Sequence, residues 1–357
     1  GSGMKLSLYM MLVLGCLSMH QVHAKSFYGV FGDLTIKDQV DQSLDENSVS
    51  GVLDFYLAHE FNQKVSALFE FVYDDSISHV EKHVERFSLK YEFDPGFFLA
   101  FGRFHTPIGN INRTQHHGAL LNDTISRPFF LGYHEAKVLF PLHVVGLMAG
   151  GQVYAQSINI GYEATVHSNQ MIEVETNHEG LRHLEIDPND GLAGAISPGY
   201  SLRIRGFPDH KNWQFAGFIY QTEAELGNAY QLDESIIGID FVYLFENWKF
   251  NAELFEVGHQ VNASNNKYYA SAYFFQAGYQ FNEVTSLHYR FAEMDIDQSD
   301  PYYAWTTLQQ QHRNTLALRY ELNAKHAIKL ELEQQVFADS ALQKQTFIAA
   351  QWSFLFQ

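Results

Sequence analysis

Between residues 102 and 142 the chain carries Arg103, His105, Arg113, His116, His117, Arg127, His134 and Lys137 against only Asp123 and Glu135. This cationic and protonatable excess sits in a chain whose formal charge at pH 7 is −18. Three kinds of chemistry suit such a set. Guanidinium groups in a narrow water-filled space lower the barrier for anions. They also pin backbone through bidentate pairs with carboxylates. Imidazoles at His105, His116 and His117 are good ligands for zinc or copper and change charge near neutral pH. Adjacent histidines in a strand point to opposite faces, so only a loop could bring His116 and His117 together. No carboxylate or cysteine spacing completes a recognised zinc pattern, and no cofactor is expected.

The elements that must position these groups are strands. Leu53, Phe55, Leu57 and Phe61 alternate with a set that includes Asp54 and Glu60. Phe87, Leu89, Tyr91 and Phe93 alternate with Arg86, Ser88, Lys90 and Glu92. A period of two, with one apolar and one charged face, marks a strand. The same pattern places strands at residues 27–36, 49–61, 64–75, 83–93, 97–102, 143–150, 156–167, 191–207, 213–223, 235–245, 249–258, 268–281, 284–295, 312–322, 326–335 and 344–356. The connections alternate between short turns, such as Asn62-Gln63 and Asp94-Pro95-Gly96, and long polar stretches such as residues 168–190 and 296–311. Residues 102–142 are the longest, and an unstructured connection of that length is improbable in a compact domain unless it is functional. Gly109, Gly118, Pro107 and Pro128 suit sharp turns within it.

Composition narrows the class. Phe and Tyr number 30 and 20, and aromatic residues make up 15% of the chain. Mean hydropathy is only −0.21, and past the N-terminal region no run is long and apolar enough for a membrane helix. A transmembrane antiparallel up-and-down β-barrel of about sixteen strands reconciles these facts, because only alternate residues need face lipid. Gly1-Ser2-Gly3 reads as a cloning scar. Residues 4–24 read as a signal peptide, with Lys5, an apolar run and Val22-His23-Ala24 before the cleavage point, leaving residues 25–357 as the barrel. Cys16, the only cysteine, falls within that leader, so no disulfide is expected. The acidic balance, 41 against 23, argues against nucleic-acid binding.

The closing segment places Thr346, Ile348, Ala350, Trp352, Phe354 and Phe356 at every second position. With the leader, the strand count and the long third loop after the fifth strand, this resembles the bacterial outer-membrane porin superfamily, and within it the phosphate-selective and related porins. Gln357 departs from the family's terminal aromatic, and the lysine and arginine runs of a dedicated phosphate channel are absent. The resemblance implies that the third loop folds into the pore and narrows it. It further implies an outer-membrane location among lipid and lipopolysaccharide, insertion by the outer-membrane assembly machinery, and a homotrimer.

The function expected on this reading is passive diffusion of small hydrophilic solutes, with an anion preference. The selectivity filter would comprise Arg103, His105, Arg113, His116, His117 and Arg127 from the loop, with Arg86, Lys90 and Arg290 on the wall. Three alternatives remain beside it: a metal-ion-binding or solute-specific channel, a plugged adhesive barrel, and a lipase-like or protease-like barrel. The enzymatic reading is disfavoured because neither G-x-S-x-G nor H-E-x-x-H occurs.

Overall fold

The computed structural model describes residues 24–40, 48–76, 79–94, 96–115, 118–132, 139–176, 182–189, 191, 196–226, 230–262, 264–306, 308–338 and 344–357. The first strands are β1 (Lys25–Gln39), β2 (Ser48–Glu60), β3 (Val65–Ser76), β4 (His79–Asp94) and β5 (Phe97–His105). After the long connection come β6 (His143–Val153), β7 (Asn159–Ser168), the short pair β8 (Gln170–Thr176) and β9 (Arg182–Pro188), and β10 (Pro198–Phe207). The wall continues through β11 (Trp213–Leu226), β12 (Tyr230–Phe245), β13 (Trp248–Val261), β14 (Lys267–Asn282) and β15 (Thr285–Ile296), and ends with β16 (Gln311–Asn323), β17 (His326–Phe337) and β18 (Lys344–Phe356). Among the described residues, the short helices α1 (Asn110–Thr114) and α2 (Pro301–Thr306) and a 3-10 turn at Ala119–Leu121 lie in connections.

The sheet closes on itself. β1 runs antiparallel to β18 from Val30 opposite Phe356 to Gln39 opposite Phe347. β7 pairs directly with β10, from Ser168 opposite Pro198 to Asn159 opposite Phe207. Sixteen strands therefore form the ring. β8 and β9 form a hairpin outside it, and β8 runs parallel to the end of β11 at Ala224, Glu225 and Leu226.

The period-two pattern sorts side chains to the two faces of this wall. On β16 and β17, Leu316 lies opposite Leu332 and Leu318 opposite Leu330, and all four are exposed on the outside. Between them Thr315 faces Glu333 and Ala317 faces Glu331, all buried on the inside. An apolar outer face suits hydrocarbon, and the closed ring leaves no strand edge unpaired there. Rings gather near the short turns: Phe93, Phe97, Phe245, Trp248, Phe281 and Phe356 are exposed there. Trp248 stacks on Phe250 at 5.8 Å and meets Tyr279 at 4.8 Å. Such a girdle marks a membrane interface.

Three expectations need correction. The eighth strand of the ring begins at Pro198 rather than residue 191, and the stretch 168–190 contains a hairpin rather than only loop. Its apolar pairs, Ile172 opposite Ile186 and Val174 opposite Leu184, are too short a run to stand out among the surrounding charges. The polar tips at residues 75–82 and 223–234 are largely strand, because Glu223 pairs with Asp233 and Glu225 with Gln231. A ladder can continue beyond the membrane with charged side chains facing water.

Close approach between strands is built in at Gly238 of β12. A Cβ there would overlap the ring of Phe218 on β11 and the carbonyl oxygen of Leu254 on β13. Gly238→Ala should therefore destabilise the barrel by about 1–3 kcal/mol, the usual cost of overpacking. Urea unfolding of the refolded protein in detergent, followed by tryptophan fluorescence, measures it.

Candidate functional site

The long connection, residues 106–142, is closed at its neck. The Thr106 N–H donates to Leu142 O at 2.8 Å. Asn112 Nδ2 donates to Thr106 O at 2.8 Å and to Leu142 O at 3.3 Å, so one side chain ties both ends together. Thr106 Oγ1 adds a bond to Pro141 O. A long loop with joined ends is a compact unit whose own side chains hold its shape.

Its first tether is α1. The short helix leaves N–H groups without intrahelical acceptors. Glu253 of β13 supplies one: its Oε1 accepts from Asn110 N at 2.9 Å and Ile111 N at 2.7 Å. Gly109, which precedes the helix, has φ +72°, and a Cβ there would lie 2.6 Å from Glu253 Oε2. Both the left-handed backbone and the carboxylate's approach therefore require glycine. At the other end of the helix Arg113 forms a bidentate pair with Glu163 of β7, with Nε to Oε2 at 2.6 Å.

The second tether lies on β13 to β17. Glu331 Oε2 accepts from Ile125 N at 2.7 Å, and the same carboxylate accepts from Ser126 N at 3.1 Å. Arg290 donates to Thr124 Oγ1 at 2.8 Å, Ser126 O at 2.9 Å and Ser126 Oγ at 2.7 Å. Arg319 reaches Asn122 O at 2.7 Å, and Lys329 reaches the carbonyls of Ala119 and Thr124. Asp123 pairs with Lys249 of β13 at 2.7 Å and accepts from Gln276 of β14 at 3.3 Å. These wall residues contribute side-chain donors and acceptors to backbone groups of the connection and to the side chains of Asp123, Thr124 and Ser126, so that many of its buried polar groups find partners.

An apolar contact completes the anchorage. Phe130 and Phe140 of the connection pack on Phe255 of β13, with centroids 6.0 and 5.6 Å apart. Phe218 lies 5.3 Å from the same ring, and Ile108, Leu131 and Leu139 are buried in this cluster. Arg313 of β16 stands over Phe129 at 4.9 Å.

The residues expected to form the filter fall into several environments. Arg103 and His105 stand on β5 rather than in the loop, because the ladder with β6 continues to His105 opposite His143. Arg103 reaches Asp187 of β9 at 3.1 Å. Arg113 pins α1, and Arg290 is fully buried holding residues 124 and 126. Arg127 is buried beside them. Arg86 pairs with Glu70 of β3, and Lys90 lies 3.2 Å from Glu92 near the ring of Phe98. His116, His117, His134 and Lys137 lie outside the described residues. Neither Glu253 nor Glu85 stands out in the sequence. A carboxylate's task of capping a distant loop leaves no local signal, although the polar position in Ala252-Glu253-Leu254 does point inward.

No protein-family model matches the chain, and no curated protein sequence matches it significantly. Solved structures do match. An anion-selective porin from Comamonas acidovorans superposes with TM-score 0.65 at 12% identity, covering 94% of this chain and 100% of that one. The outer membrane channel DcaP of Acinetobacter baumannii gives 0.60 at 10% identity, covering 93% and 97%. The trimer form of OmpT, an outer membrane protein of Vibrio cholerae, gives 0.56 at 10%, covering 93% and 99%. The fold is that of a bacterial outer-membrane porin. In this porin fold the described part of the connection after the fifth strand is tied to the inner faces of β7 and of β13 to β17.

Glu331→Ala should cost about 1–3 kcal/mol by leaving two N–H groups of the connection without their acceptor. Limited proteolysis near residue 125, together with urea unfolding, checks this. Asp123 offers a pH test. Burial raises its pKa, but Lys249, His288 and Arg319 draw it down more strongly, so it lies below its ordinary 3.8. Such a carboxylate stabilises the fold above its unfolded-state pKa and loses that contribution as the pH falls through its lower folded-state value. Asp123→Asn should be less stable than wild type at pH 7, and the difference should shrink as the pH falls below 3.8 through the lower folded-state value.

Proposed function

We propose that the protein is a passive outer-membrane channel for small hydrophilic solutes, in which the long connection lies inside the barrel and narrows it. One observation carries this reading. Asn110, Ile111, Arg113 and residues 122–126 bond to side chains of β7, β13, β14, β15, β16 and β17, which supports a path for the connection across the interior. A constriction made this way concentrates the field of its fixed charges on any ion passing it. Transport follows the concentration gradient, with no covalent step.

The charge beside the connection supports a mild anion preference. Arg113 is balanced by Glu163, and Asp123 by Lys249. Arg290 and Lys329 donate to neutral oxygens, and Glu253 and Glu331 accept from neutral N–H groups. Within the described part of the connection itself, Arg113 and Arg127 outnumber Asp123. The trimer form recorded for OmpT of Vibrio cholerae supports a homotrimer for this chain as well.

Single-channel recording in a planar bilayer under a salt gradient tests the reading. A stable open channel is expected, with a reversal potential of anion-selective sign that moves toward zero in Arg127→Gln. Cation selectivity would mean that the acidic wall dominates. Absence of conductance from folded protein would replace the channel with a plugged barrel, an outcome to which the buried cluster of Phe130, Phe140, Phe218 and Phe255 would then belong.

A further inference from the structure

We propose that Glu85, His105 and His143 form a binding site for one first-row divalent metal ion of the zinc class, with His83 orienting the carboxylate. The site is independent of the channel reading. His105 and His143 are the last and first residues of β5 and β6 and lie directly opposite each other in the ladder, with ring centroids 5.3 Å apart. Glu85 comes from β4. There the pairing steps from Arg86 opposite Glu70 to Val84 opposite Phe71, leaving Glu85 as the extra residue of a bulge. A bulge re-aims a side chain that regular alternation would fix. Here it turns the carboxylate toward the two imidazoles.

The geometry is that of a coordination sphere. One ligand atom from each of the three residues lies within 4.8 Å of the other two. His105 Nε2 is 3.5 Å from Glu85 Oε1, and His143 Nε2 contacts the same oxygen. A tetrahedral ion with bonds of about 2.0–2.1 Å sets its ligand atoms roughly 3.3 Å apart, so His105 already stands at coordination spacing and His143 must only draw back. The second carboxylate oxygen, Oε2, is 2.8 Å from His83 Nε2. Ligating carboxylates are commonly held in this way by a hydrogen bond from outside the coordination sphere.

Donor type and burial select the ion. Two imidazoles and one carboxylate suit zinc and its neighbours, whereas calcium and magnesium require more oxygen donors. The side chains of Glu85, His105 and His143 are 0%, 6% and 11% exposed, while His83 at 26% leaves an approach from solvent. The nearby guanidinium of Arg86 is bonded to Glu70. Three protein ligands leave a fourth position for water or another donor. An ion here would join β4, β5 and β6 at the root of the long connection, which leaves the wall immediately after His105.

The test uses the full-length barrel, refolded in detergent without a polyhistidine tag. Zn²⁺ titration by calorimetry should show one equivalent bound at micromolar or tighter affinity, and Co²⁺ should give the visible absorption of a nitrogen-and-oxygen site. His105→Gln and His143→Gln should each weaken binding at least a hundredfold, and His83→Gln about tenfold. X-ray absorption of zinc-loaded wild type, which needs no variant to fold, should show two imidazoles at about 2.0–2.1 Å. Full affinity retained in both histidine variants, or lost in a His116→Gln/His117→Gln double variant, would place the ion elsewhere and overturn the site. So would a wild-type barrel that binds no zinc.

Discussion

A wall facing hydrocarbon must satisfy its backbone hydrogen bonds within itself, and here the β1–β18 pairing meets that constraint. Without it, both strands would present open edges to lipid, where each unsatisfied group costs several kcal/mol. Its register, with Val30 opposite Phe356, also sets the position of every other strand around the ring. The apolar outer face and the charged inner face follow from closure combined with period-two alternation. The same sequence in an open sheet would have no inside.

Once there is an inside, its charges need partners. Arg203 meets Asp240 on the neighbouring strand but one, at 2.8 Å, within the wall itself. Glu253, Glu331, Arg290 and Lys329 instead find backbone groups of the long connection. Connection and wall are therefore mutually dependent. The wall side chains would exchange these partners for water if the connection left, and the connection would carry unpaired N–H and C=O groups if the wall charges were removed. Aromatic packing on Phe255 adds a non-directional contribution to directional bonds, which together fix the segment in one place. The guanidinium groups that hold the connection also contribute to the local electric field.

The architecture was legible because its signal is repetitive. Each strand shows the alternation independently, so sixteen weak readings reinforce one another, and the exposed Leu316, Leu318, Leu330 and Leu332 stand where the pattern puts them. The hairpin at β8 and β9 escaped because four paired aliphatic residues do not make a repeat. Arginine and histidine in the long connection were visible as residue types. What each of them does was not. Arg113 could have lined a passage or pinned a loop, and its bond to Glu163, fifty positions away, settles only that it pins.

The sequence by itself determined the class of fold, the faces of the wall and the presence of a long basic connection, because alternation and composition are local properties. Tertiary structure decided which carboxylate meets which backbone group. It also brought Glu85 to His105 and His143, through a bulge that shifts one residue against the alternation. Contacts of this kind join residues far apart in the chain, and their partners are chosen by closure of the ring rather than by any neighbour in sequence.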